Sequence, residues 1–309
     1  MSLSALFVCL SLWSADPLPA GDHQRSLEVD GRSRKYLVHV PPETKRPKVG
    51  DQPAKWPVVL VFHGGGSNAE VMVRFSGMSE KADEAGFVAV YPSGSGRLEK
   101  VLTFNGGNCC GYAQLQKIDD VAFTRALLDD LAKALPIDEK RVFATGMSNG
   151  GIISYRLASE LSDRVAAIAP VGGPMGTETC QPKRPVPVMH FHGIDDKYAP
   201  FQGGRGEDSL TGTKFYSVEH SINAWVKANG CDEKPAVTEL PDKTDDGTRV
   251  TRKVWSNGRE GSEVILFEIQ GGGHTWPGRP AAVRFLGTTT RDINANDLMW
   301  EFFQRHPMK

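Results

Sequence analysis

RVFATGMSNGGIISYRLA, Arg141 to Ala158, is the stretch on which the fold turns. Val142 to Thr145 form a short apolar run that reads as a buried strand, and Ile152, Ile153, Tyr155 and Leu157 open a helical pattern. Between them, Gly146-Met147-Ser148-Asn149-Gly150 fits G-x-S-x-G, the sharp strand-to-helix turn that lifts a serine hydroxyl clear of a sheet. Both glycines have a steric reason. The flanks of such a turn pack too close to neighbouring backbone for a side chain, and the serine itself is held in a strained conformation. Ser148 is therefore a candidate nucleophile. The strand before it and the helix after it set it apart from a plain Gly-rich turn.

The same alternation extends outward. Pro57 to Phe62 (PVVLVF) and Phe87 to Tyr91 (FVAVY) are continuous apolar runs, the mark of parallel strands buried on both faces. Val165–Ala169, Val186–Phe191 and Val264–Ile269 repeat the pattern downstream. Helices are expected after Ser67 through about Glu84, over Asp119–Leu135, over Tyr216–Asn229 and over Asp292–Arg305. In the second of these, Val121, Leu127, Leu128, Leu131 and Leu135 recur at helical spacing, and Asp119 and Asp120 sit where the helix dipole favours carboxylates. Leu27–Val29 and Arg34–Val40 alternate around Asp30-Gly31 as an antiparallel hairpin. Val237–Val254 reads as a two-stranded excursion with a charged turn. The Gly-rich loop Ser93–Lys117 carries Cys109-Cys110, and a loop of that length inside a compact domain is usually functional. Strands alternating with helices predict a doubly wound α/β sheet in one domain, from about residue 24 to 309.

A formal net charge of -1 over 309 residues gives no reason to expect a nucleic-acid or anionic-membrane partner. The apolar run Leu3–Trp13 is too short to span a bilayer. It suits a secretory signal within residues 1–20, cleaved after Ala15 or Ala20, although no Lys or Arg precedes it. Cys9 would leave with that segment. Cys109, Cys110, Cys180 and Cys231 remain, and an even set in an exported chain suggests disulfides.

In an open α/β sheet, function gathers at the carboxyl ends of the strands. After Phe62 comes His63-Gly64-Gly65-Gly66, and after Thr145 comes Ser148. After Phe191 comes His192-Gly193-Ile194-Asp195-Asp196, and after Ile269 comes Gly271-Gly272-Gly273-His274-Thr275-Trp276. Ser, then Asp, then His is the chain order of the α/β-hydrolase triad. Ser148 Oγ would attack an acyl carbon, and His274 would take its proton and return it to the leaving group. Asp195 or Asp196 would hold the imidazole in the right tautomer. The oxyanion needs two backbone N–H donors: that of Asn149, after the nucleophile, and one from the His63–Gly66 turn, with Gly65 the expected residue. Of the other histidines, His192 shapes the acid loop and His39, His190 and His220 read as structural or surface. His190-x-His192 beside Asp195-Asp196 also resembles a metal-ligand cluster, but without a third histidine nearby no metal is expected.

These motifs together resemble the secreted esterase family of polyhydroxybutyrate depolymerases and feruloyl and acetylxylan esterases, of the family-1 carbohydrate esterase type. The resemblance spans nearly the whole chain: LEVDGRSRKYLVHVPP, VVLVFHGGGSN, YPSG, FNGGNCCG, IDDVAF, GMSNGG, HFHGIDD, GGGHTWPG and DLMWEFFQRHP. It implies an α/β-hydrolase fold and a secreted, cofactor-free serine esterase acting on feruloyl or acetyl esters of plant polysaccharide, or on short hydroxyalkanoate esters. The family's H-G-x-x-D-x-x-[VA]-P places the acid at Asp196, in HGIDDKYAP. The resemblance also implies that Trp276 lines the acyl cleft; the alternative is a core tryptophan behind the histidine loop. On the same map, Cys180 and Cys231 fall on the face of the sheet opposite the catalytic one. They are expected to pair, leaving Cys109 and Cys110 as a vicinal bridge or two thiols. Two rival functions are a serine peptidase of the same fold and a non-catalytic polymer- or carbohydrate-binding protein on an esterase scaffold.

Overall fold

A computed structural model describes residues 17–209, 211–280 and 284–309; the apolar run Leu3–Trp13 lies outside them. The chain opens with the strands β1 (Gly21–Val29) and β2 (Arg32–Val40), then the short ladder β3 (Lys48–Val49) and β4 (Gln52–Pro53), then β5 (Trp56–Phe62). Helices α1 (Ala69–Ser76) and α2 (Met78–Ala85) lead to β6 (Val88–Pro92) and the hairpin β7 (Ser95–Leu98) and β8 (Val101–Thr103). Next come α3 (Gly111–Leu115), α4 (Asp120–Ala134), β9 (Ile137–Met147), α5 (Asn149–Glu160), β10 (Ala167–Val171) and β11 (Val188–Gly193). After the ladder β12 (Gly204–Arg205) and β13 (Lys214–Phe215), the chain closes with α6 (Val218–Asn229), β14 (Ala236–Glu239), β15 (Arg249–Trp255), β16 (Val264–Gln270) and α7 (Ala295–Arg305).

Ten strands form one sheet in the order β1-β2-β6-β5-β9-β10-β11-β16-β15-β14. Its centre, from β6 to β16, is parallel throughout, and an antiparallel pair is added at each edge. The apolar runs explain the two cores. Along β5, Val58, Leu60 and Phe62 face α4, α5 and α6, while Val59 and Val61 face α1, α2 and α7. A strand buried on both faces can afford no polar alternate, and this one has none.

The hairpin turn has Asp30 and Gly31 both at positive φ, which matches the right-handed twist of the strands it joins. Its strands pair from Gly21, and Leu18 donates its N–H to Ala134 O, so the fold begins earlier than residue 24. Two further expectations are corrected. The helix after Ser67 is two helices, broken where Gly77 takes φ 63°. The Val237–Val254 excursion is the edge of the main sheet: β15 pairs with β16 along its whole length.

Candidate active site

At the elbow, Ser148 sits at φ 57°, ψ -118°, a region that costs a non-glycine residue on the order of 1–3 kcal/mol. Helix α5 starts at the next residue. A Cβ on Gly146 would meet Phe62 O at 2.5 Å, and one on Gly150 would collide with the same carbonyl. Only glycine lets β9 turn this closely past the end of β5.

Asp196 and His274 arrive from loops after β11 and β16, and both are buried. Asp196 Oδ2 lies 2.6 Å from His274 Nδ1. A carboxylate can only accept, so Nδ1 carries the proton and Nε2 is left as the base. The other carboxylate oxygen accepts the N–H groups of Tyr198 and Ala199 at 2.8 and 2.9 Å. Burial alone would raise the Asp196 pKa, but His274, His192 and the Ala199 N–H outweigh it and hold the carboxyl below its ordinary range. Asp195 is exposed. Ser148 and His274 open on one cleft; no direct hydrogen bond joins them among the described residues.

The N–H groups expected to serve as oxyanion donors can be followed through hydrogen bonds. His63 is fully buried, and its Nε2 accepts the Gly94 N–H at 3.0 Å. Its Nδ1 must then donate, and it does so to Gly64 O at 2.8 Å. In a trans peptide the next N–H points the opposite way, so that of Gly65 is turned from the His63 ring. Neither Gly65 N–H nor Asn149 N–H is spent on a carbonyl among the described residues, and both residues line the cleft. Burial, aided by Arg34, pushes the His63 pKa down to about 4, so the ring stays neutral in this role. Asn149 has a second task that the sequence did not disclose. Its side chain accepts from Phe104 N at 2.7 Å and donates to Phe104 O at 2.9 Å, pinning the cysteine loop to the elbow.

The cleft encloses about 840 Å³. The Ser93–Lys117 loop supplies Leu98, Val101, Tyr112 and Leu115, and the Ala199–Thr213 loop supplies Ser209 and Thr211. Two walls were not read from sequence: Val71, Met72 and Phe75 of α1, and Phe285 with Leu286. Tyr198, also missed, stacks on the His274 ring at 5.1 Å.

Trp276 is not a cleft residue. It is 1% exposed, stands edge-on behind Phe75 at 6.3 Å and donates its indole N–H to Asn296 Oδ1 at 2.8 Å. A buried indole needs that partner, and Asn296 supplies it on the core side. The Cys180–Cys231 bridge is also corrected: both are free thiols. Cys231 Sγ is directed at Ser262 O, whereas Cys180 lies by Tyr155, so the two face different neighbours. Burial pushes the thiols up, to about 12 for Cys180 and about 11 for Cys231. Cys109 and Cys110 form the vicinal bridge, against Ile152. Among the described residues, no cluster of three or more His, Cys, Asp or Glu side chains could hold a metal ion.

The sequence pattern of the dienelactone hydrolase family matches residues 47–229, more than half of the chain. The chain belongs to the dienelactone hydrolase family. Within that family setting, it is 32% identical over 295 residues to NocK of Nocardia uniformis subsp. tsuyamanensis, covering 90% of this chain and 81% of that one. It is 31% identical over 180 residues to feruloyl esterase B of Piromyces equi, covering 55% of this chain and 31% of that protein. Feruloyl esterase D of Neurospora crassa is 25% identical over 284 residues, with 90% and 83% covered. Among solved structures, acetyl xylan esterase from Aspergillus awamori superposes with a TM-score of 0.60 at 14% identity, over 91% of this chain and 99% of that one. At that identity the likeness is one of fold. This member of the dienelactone hydrolase family is a carboxylic ester hydrolase of the α/β-hydrolase fold.

Proposed function

We propose that the protein hydrolyses carboxylic esters through an acyl-enzyme, with Ser148 as nucleophile, His274 as general base and acid, and Asp196 as the carboxylate that fixes the His274 tautomer. One observation carries this: a buried Asp196–His274 pair at 2.6 Å opens on the cleft that holds the strained Ser148. Gly65 and Asn149 supply the oxyanion donors, whose stabilisation is worth about 3–4 kcal/mol per donor in such sites. Asn149 N–H gains from standing at the first position of α5, where the helix dipole favours negative charge.

The substrates are feruloyl or acetyl esters of plant polysaccharide, or short hydroxyalkanoate esters. Support comes from the names of the relatives and from a cleft walled by Met72, Phe75, Tyr112, Phe215 and Phe285, which suits an apolar or flat acyl group. We place the protein outside the cytoplasm, as a single catalytic domain from about residue 21 onward. No helix among the described residues is long and apolar enough to cross a membrane.

Initial rates on methyl ferulate, acetylated xylan and hydroxybutyrate oligomers at equal enzyme concentration test the substrate assignment. A preference for one of the three by tenfold or more in kcat/KM is the expected outcome. Turnover of peptide substrates, with none of any ester, would contradict it.

A further inference from the structure

Behind the acid loop runs a chain of buried polar side chains that the proposed chemistry does not use. His190 and His192 lie on one face of β11, at 0% and 1% exposure. Tyr155, also at 0%, reaches them from α5, the helix that begins at the elbow. Tyr155 Oη is 3.0 Å from His190 Nδ1, and His190 Nε2 is 2.9 Å from His192 Nδ1. His192 Nε2 is 2.7 Å from Ala199 O and 3.4 Å from Asp196 Oδ2, the oxygen that faces His274.

The far end of this chain fixes every proton in it. A carbonyl and a carboxylate only accept, so His192 Nε2 carries its hydrogen. His192 Nδ1 must then accept, which puts the His190 hydrogen on Nε2. His190 Nδ1 must accept in turn, so the Tyr155 hydroxyl donates. One arrangement satisfies all three links, with both imidazoles neutral. Burial holds both rings below their ordinary pKa. The groups facing His192 are His190, Asp196, Ala199 and the edge of Phe201, with His274 beyond the carboxylate. Asp196 is the only carboxylate among these.

Three polar side chains in a core cost desolvation that apolar residues of the same size would avoid. Here they join the nucleophile's helix to the acid. Ala199 is the meeting point: its carbonyl accepts from His192 and its N–H donates to Asp196 Oδ1. We infer that Tyr155, His190 and His192 form a proton-ordered positioning chain, in which His192 holds Asp196 and its loop in register for His274. The inference rests on Asp196 being the catalytic acid, as proposed above.

The test combines histidine-ring 1H–15N spectra of the full chain with kinetics of His192→Phe, His192→Gln and Tyr155→Phe, beside Ser148→Ala. In the native protein His190 and His192 should both appear neutral with the proton on Nε2, between pH 6 and 8. His192→Phe should lower kcat about 10²-fold with little change in KM, as a misplacement of about 1 Å would. His192→Gln, which keeps a donor, should recover part of that loss. Tyr155→Phe should cost about two- to tenfold in kcat, the worth of one hydrogen bond, and should release the His190 tautomer. Native-like kcat in folded His192→Phe, or Nδ1-protonated rings in the native spectrum, would overturn the inference even with Ser148→Ala inactive. Activity retained in Ser148→Ala would instead overturn the triad.

Discussion

Asp195 and Asp196 are adjacent and chemically equal, yet only one can serve His274. Asp196 is 4% exposed and carries three hydrogen bonds on its two oxygens, whereas Asp195 is exposed. Asp196→Asn should therefore lower kcat about 10⁴-fold by favouring the wrong imidazole tautomer. Asp195→Asn should stay within about twofold, as exposed substitutions usually do. Steady-state kinetics on p-nitrophenyl butyrate separates the two, and the reverse order would misplace the acid. The residues of the proposed triad could be named from the sequence because the chemistry it would need fixes both their types and their order along the chain. Trp276 was not. An aromatic beside a catalytic histidine can face cleft or core, and the deciding contact comes from Asn296, twenty residues on and in another element. Tyr198 escaped for the same reason: nothing in HGIDDKYAP says that its ring folds back on His274.

Among elements, the elbow is the most demanding. Gly150 packs so closely on the ends of β5 that any Cβ meets the carbonyls of Phe62 and His63. Gly150→Ala should cost about 1–3 kcal/mol in urea unfolding and should lower activity with it, because α5 must back away from β5. An unchanged midpoint would show that the turn has room to spare. The central strands were legible because burial on both faces leaves no polar alternate to confuse the period. The break at Gly77 was less so, since a single glycine inside a helical pattern is tolerated at about 1 kcal/mol and does not announce a positive φ. The edge pair β14 and β15 hid its allegiance as well. Ala236–Glu239 is exposed along its whole length, so its sequence carries no trace of the sheet it joins.

For the whole molecule, the buried neutral histidines link stability to pH. The His63 pKa falls from 6.5 to about 4 on folding, and His190 and His192 move in the same direction. The unfolded chain thus binds protons first as pH drops. Their contribution is fully present above pH 6.5 and is lost progressively below it, by about 3 kcal/mol for His63 alone once pH reaches 4. His39, whose pKa is raised by its partners Asp22 and Asp83, is fully stabilising below 6.5 and adds no opposing slope there. Urea unfolding between pH 6.5 and 5 should show stability falling as pH falls; a flat or rising trend would contradict buried neutral rings. Peptide mapping without reduction should find Cys109 joined to Cys110, with Cys180 and Cys231 both alkylated after unfolding. The cysteine pairing was the least legible property of the sequence, because sharing one face of a sheet says little about whether two thiols meet.

The proposed chemistry depends on Ser148. Hydrolysis of p-nitrophenyl acetate by the native protein, beside Ser148→Ala, tests it most directly, with the acyl-enzyme looked for as an added mass of about 42 Da on the elbow peptide, one acetyl group in place of the hydroxyl hydrogen. The prediction is a rate at least about 10⁴-fold lower in the variant and an acetyl group on Ser148 in the native protein alone. Equal rates in the two proteins, or acetylation elsewhere with Ser148 unmodified, would mean that the elbow is only a turn.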